Sequence, residues 1–354
     1  MPRALSFWVV VAAAIGSVLT GVSHGLATRG LETELPRVRL IATGGTIATR
    51  PGGIRLSAEE LVHSVPDLRR HVRPEWEQFS NVASTAMALD QWVRLARRIN
   101  DILAGDSAPQ GIVVTTGTDT LEELAFFLHL TVRSPRPVVI TGSMRTPGSA
   151  GYDGPANLLS AFRTAGDPKA HEKGVLVVMN DDIGSAREVS KTDAQRLDAF
   201  QSRQGGALGT VEADRVLFVR GPLKRHTVRS EFDLHSIADL PRVDLLLFYQ
   251  GATPDLLQAA VDLGAKGLIV AVAGADTSAG TMAEGLTYAA KRRVPVVLTT
   301  RTGAGRIAAP IGDGALGDYI AGEDLPPLKA RILLALALTR THAATEIQRM
   351  FRDY

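Results

Sequence analysis

The chain contains no cysteine. Disulfides, thiolate nucleophiles and cysteine-held metals are therefore excluded, and stability has to come from packing or from assembly with further copies. Aromatic residues are scarce, at 5%, and neither sign of charge dominates, since 39 Lys and Arg stand against 37 Asp and Glu in 354 residues. That balance argues against a nucleic-acid-binding surface. Basic clusters do occur, as in "LRRHVR" (68–73), "RLARRIN" (94–100) and "LKRHTVR" (223–229). Arg94, Arg97 and Arg98, however, fall at helical spacing opposite apolar neighbours, the pattern of a solvated helix face. Common cofactor signatures are missing as well. "ATGGTIA" (42–48) lacks the lysine of a phosphate-binding loop, "RTGAGR" (301–306) lacks the third glycine of a dinucleotide turn, and His171–Glu172 lacks the second histidine of a zinc helix. The G-x-S-x-G elbow of a serine hydrolase is absent too. The sequence thus calls for no metal and no cofactor.

What is present begins with an apolar start, "MPRALSFWVVVAAAIGSVLTGVSHGLATRG". It fits a secretory signal peptide, residues 1–27, cut near Ala27; an uncleaved membrane anchor is the competing reading. Either way the rest is expected outside the cytoplasm, periplasmic or secreted, and free of the membrane once the signal is removed. Losing Arg3 with that segment leaves a formal charge of +1.

From residue 36 onward, short β-branched runs alternate with helix-like stretches. "VRLIATGG" (38–45), "GIVVTTG" (111–117), "PVVITGS" (137–143) and "GVLVVMN" (174–180) are apolar on both faces, as strands of a buried parallel sheet are. Segments 89–105, 119–130 and 153–166 have helical periodicity. The pattern turns polar between residues 222 and 241, predicting a linker, and resumes with strands at 244–251, 267–274 and 295–300 and helices from Leu328 and about Ala343. The expected fold is α/β: a larger N-terminal domain (36–221) with a mostly parallel central sheet and flanking helices, plus a smaller C-terminal α/β domain (242–354).

Ligands of open α/β sheets bind beyond the carboxyl ends of the strands. There the sequence places threonines: Thr43, Thr46, Thr116, Thr118 and Thr120. A threonine hydroxyl becomes a nucleophile only if a base takes its proton, and a lysine does so only when neutral. The structural alternative is equally concrete. Thr118 or Thr120 would cap the following helix, with Glu122 and Glu123 set against its dipole.

Taken together, "LIATGGTIA" (40–48) and "VVTTGTDTLEELAFFL" (113–128) resemble the two signatures of the bacterial type II L-asparaginase and glutaminase-asparaginase family. Further likenesses follow in the family's order, among them "NVASTAM" (81–87), "PVVITGSMRTPGSAGYDGPANL" (137–158) and the segment 174–202. The resemblance implies hydrolysis of the side-chain amide of L-asparagine, with L-glutamine as a candidate second substrate, through a threonine acyl-enzyme. By that resemblance Thr46 is the nucleophile, Thr118, Asp119 and Lys191 form a second catalytic cluster in which Asp119 also orients substrate, and Ser84 takes the substrate α-carboxylate. It also implies a homotetramer acting on a small amino-acid amide.

Several positions depart from the family pattern. Thr116 stands where a histidine is usual, and Thr85, at a substrate-binding position, replaces a glutamine. The lid segment after Thr46, "ATRPGGIRLSAEEL" (48–61), has no tyrosine, and the next one in the chain is Tyr152. "VAGADTS" (272–278) replaces an asparagine-bearing turn, and 299–310 lacks a glutamate. A missing hydrogen bond in a buried site costs roughly 1–3 kcal/mol. These changes leave open weakened turnover, binding of aspartate or asparagine without turnover, or a different amide substrate.

Overall fold

A computed structural model describes residues 34–202, 204–237, 239–275, 280–308 and 319–354. The expected signal peptide lies outside the described residues, as do parts of the two altered C-terminal turns. Leu35–Tyr354 forms one compact unit.

The strands in chain order are β1 (Arg37–Gly44), β2 (Arg73–Val82), β3 (Gly111–Thr115), β4 (Val138–Thr141), β5 (Val175–Met179), β6 (Asp182–Ser185), β7 (Val189–Lys191), β8 (Phe200–Ser202), β9 (Gly209–Val211), β10 (Val216–Phe218), β11 (Val243–Leu247), β12 (Gly267–Val272), β13 (Val296–Thr300) and β14 (Ile320–Ala321). The helices are α1 (Ala58–His63), α2 (Leu89–Ala104), α3 (Leu121–Thr131), α4 (Gly154–Gly166), α5 (Asp255–Asp262), α6 (Ala283–Lys291), α7 (Pro327–Ala337) and α8 (Ala344–Asp353). The architecture is α/β, as expected. A large sheet runs in the order β10-β9-β6-β5-β4-β3-β1-β2, and β11-β12-β13-β14 make a smaller, wholly parallel sheet. In the large sheet β2, β1, β3, β4 and β5 are parallel, while β6, β9 and β10 extend it antiparallel. β7 and β8 pair only with each other, as a separate hairpin.

The period of two along the parallel strands sorts their side chains into two layers. Ile112, Val114, Ile140 and Val177 face α2 and α3, whereas Val113, Val139, Leu176 and Val178 face α1 and α4. Each such fully buried side chain contributes about 1.5–3 kcal/mol. α3 is apolar nearly all round and buried everywhere but at Glu123, because α7 covers the side turned away from the sheet. α7 in turn packs on β12 and β11, so one apolar cluster runs from the first sheet to Ile269 and Val297 of the second. The segment 222–241 takes part in it. Its polar composition hides Phe232 and Leu234, both buried in that cluster.

This segment also carries His226, whose ring lies 5.0 Å from that of His129 on α3. The His129 Nδ1 accepts a hydrogen bond from the Val175 N–H at 3.1 Å, which fixes a neutral acceptor at that nitrogen. Burial pushes His129 well below the usual imidazole range and His226 down to about 4. The unfolded chain takes up these protons near pH 6.5, so it binds more protons than the fold between about pH 6.5 and 4. Stability is therefore expected to be full above pH 6.5 and to fall as pH drops through that window, by up to roughly 3 kcal/mol for His226 alone. Urea unfolding at pH 7.5 and pH 5 measures it. A His226→Gln variant should show a flatter dependence, and an unchanged slope would refute the assignment.

Candidate active site

β1 leads into the Thr46 turn through Gly44 and Gly45. Gly45 has φ +88°, and a Cβ there would stand 2.2 Å from the Gly117 nitrogen, so two strand-end turns meet backbone to backbone. Thr46–Ala48 then makes one 3-10 turn, closed by Ala48 N–H donating to the Gly45 carbonyl (3.1 Å) and Thr49 N–H to the Thr46 carbonyl (3.1 Å). The Thr49 hydroxyl adds a bond to the Gly45 carbonyl at 2.8 Å. Thr46 itself is half-buried.

Beyond this turn the chain forms a small hairpin. Arg50 N–H donates to the Ile54 carbonyl at 2.8 Å, Leu56 N–H to the Ala48 carbonyl at 2.7 Å, and the Asn81 amide to the Leu56 carbonyl at 3.2 Å. The segment expected to form a short lid is thus tied back to β2. A phenol reaches this turn from elsewhere in the chain: the half-buried Tyr152 hydroxyl, brought by the loop before α4, donates to the Ile47 carbonyl at 2.7 Å. Burial, with Asp153 next to it, raises the Tyr152 pKa far above the usual phenol value, so it stays a donor.

β3 ends at the second turn. Thr116 is buried, with its N–H on the Thr141 carbonyl at 3.1 Å. Thr43 and Thr141 are structural, since their hydroxyls donate to the Thr115 and Val178 carbonyls, each at 2.8 Å. Thr118 is buried and Asp119 exposed. Capping is not what this turn does: Thr120 occupies the N-cap of α3 without a side-chain bond. The two glutamates do more than face the dipole. Glu122 accepts the Lys191 N–H at 3.1 Å, and Glu123 pairs with Arg331 of α7 at 2.9 Å.

The Lys191 Nζ, from β7, stands 3.0 Å from the Thr118 hydroxyl and 2.7 Å from the Asp119 carboxylate. Three of the expected residues are therefore directly bonded, across some seventy positions of sequence. Ser84 joins them by packing, because a Cβ on Gly117 would lie 2.8 Å from its Oγ. Thr85 follows on the same 3-10 turn (Ser84–Ala86) and is exposed. The sequence assigns no site role to Tyr152 or Glu122. Their contacts run to main-chain atoms, which no side-chain motif encodes. Among the described residues no group of three or more His, Asp or Glu side chains is arranged to hold a metal ion, and no helix is long and apolar enough to cross a membrane.

A hydroxyl beside an amine and a carboxylate, at paired strand ends of an α/β sheet, is equipment for transferring an acyl group from an amide to a hydroxyl and then to water. Residues 37–224 match the family model described as Asparaginase, N-terminal, and residues 242–351 the Glutaminase/Asparaginase C-terminal domain. The chain belongs to the asparaginase family. It is 42% identical to L-asparaginase 2 of Bacillus subtilis, over 93% of this chain and 89% of that one. It is 37% identical to a glutaminase-asparaginase of Pseudomonas fluorescens, over 91% and 92%. Among solved structures it is similar to a probable cytoplasmic L-asparaginase from Campylobacter jejuni, with TM-score 0.85, 38% identity and coverage of 90% of this chain and 100% of that one.

Proposed function

We propose that the protein hydrolyses the side-chain amide of L-asparagine, with L-glutamine as a second substrate, to the acid and ammonia. The observation that carries this reading is the Lys191 amine within hydrogen-bond reach of both Thr118 and Asp119, in a chain of this family. The Thr46 oxygen attacks the carboxamide carbon, the C–N bond breaks, and the nitrogen leaves as ammonia with the proton taken from the hydroxyl. Water then cleaves the ester. Lys191, neutral at that moment, takes the Thr118 proton while Thr118 takes one from the attacking water, and the proton on Lys191 returns to the Thr46 oxygen as the ester bond breaks. The N–H groups of Gly117 and Thr118, at a strand-to-helix turn, can stabilise the developing oxyanion. Ser84 binds the substrate α-carboxylate with Thr85 beside it, and Asp119 orients the α-amino end.

Ammonia release from L-asparagine by the full chain tests the reaction. Full activity in both Thr46→Ala and Thr118→Ala would overturn the threonine mechanism. Calorimetric binding of L-asparagine with no ammonia over hours would mark a binding protein instead. The same reading extends to export by the apolar N-terminal segment and to a homotetramer. It treats 36–221 as the nucleophile-bearing part, 222–241 as the connector and 242–354 as the C-terminal domain.

A further inference from the structure

β7 is three residues long, and its pairing with β8 gives it little stability of its own. Its main chain is nevertheless held by two helices along the edge turned away from β8. The Lys329 Nζ of α7, fully buried, donates to Arg187 O at 2.9 Å and to Val189 O at 2.5 Å. Two residues further along the same edge, the buried Glu122 of α3 accepts the Lys191 N–H at 3.1 Å.

Burying an amine is costly unless its protons are satisfied. Burial pushes the Lys329 pKa down to about 8. The amine lies over the face of the Phe126 ring, 6.0 Å from its centroid, where an unbranched apolar residue would pack without that penalty. Stability alone does not account for a lysine here. What the lysine adds is two bonds to the main chain just before Lys191. Glu122 makes the matching bond on Lys191 itself, three residues after Asp119, whose carboxylate meets the same residue's amine. One helix start thus holds Lys191 by both main chain and side chain.

We propose that Glu122 and Lys329 are positioning residues, clamping β7 so that the Lys191 amine stays on Thr118. The proposal rests on Lys191 being the base of the reaction above. A displacement of about 1 Å in a reacting group can cost about 10²-fold in rate. Lys329→Met and Glu122→Leu are accordingly expected to lower kcat about 10- to 100-fold with KM changed less than threefold. Glu122→Gln keeps an acceptor oxygen and should hold kcat within threefold.

The deciding measurement is Glu122→Leu in a Lys191→Met background. If Glu122 acts through Lys191, the double variant is no slower than Lys191→Met alone. Losses that multiply, or a Glu122→Gln variant as impaired as Glu122→Leu, overturn the clamp while leaving the base in place. Full activity in Lys191→Met itself removes the base and the clamp with it. Should Lys329→Met fail to fold, the Glu122 series decides the matter.

Discussion

Lys191→Met and Thr118→Ala are each expected to lower kcat on L-asparagine by about 10²–10⁴-fold, the span of a positioned acid–base pair, with KM changed only a few-fold. The Thr118 hydroxyl lies 3.0 Å from the Lys191 amine, so either change removes the same proton transfer. Groups that act as a unit are strongly non-additive. The double variant should therefore be about as slow as the slower single one. Steady-state ammonia release gives all three numbers, and multiplied losses would mean that the two side chains serve separate steps. Methionine keeps the aliphatic stem of Lys191 where it packs, so native-like unfolding curves are expected for both variants.

Gly45→Ala should do more than either change, because it strikes the fold and the site together. The new methyl would have to sit at φ +88° and 2.2 Å from the Gly117 nitrogen. Backbone, unlike the end of a long side chain, cannot swing aside. Left-handed strain costs roughly 1–3 kcal/mol and overpacking another 1–3, so a loss of about 2–6 kcal/mol is expected in urea unfolding. Gly206→Ala separates the two causes. Gly206 has φ +73°, and an added methyl there would meet nothing within 4 Å, so strain alone should cost about 1 kcal/mol. Thr46 and Thr118 flank the Gly45–Gly117 contact, so Gly45→Ala should also reduce ammonia release to background. Wild-type stability and turnover in this variant would show that the turns do not touch in solution.

Much of the parallel sheet was legible because β3, β4 and β5 are uninterrupted apolar runs between glycines and polar turns. β2 was not. As an edge strand it buries no residue fully and mixes charged, polar and aromatic ones, "RPEWEQFSNV", and only its pairing with β1 makes it a strand. β7 through β10 have three residues each, too few for any period to register. The Thr118–Asp119 turn stood out locally because hydroxyl and carboxylate follow a buried strand. Lys191 could be placed only through family likeness, since nothing in "VSK" distinguishes it from a surface lysine. Glu122 illustrates the opposite failure. A glutamate in a first helical turn has an ordinary explanation, and its bond to a residue 69 positions away has no trace in the spacing.

The burial of α3 has a consequence for how such a chain can change over time. The helix that begins at Asp119's turn is sealed by α7, which belongs to the other half of the sequence. The half with the threonines is therefore not a portable module. Cut free, it would expose a greasy flank and lose the lysine beneath its base, so the two halves can drift apart in sequence only as far as that shared seam allows.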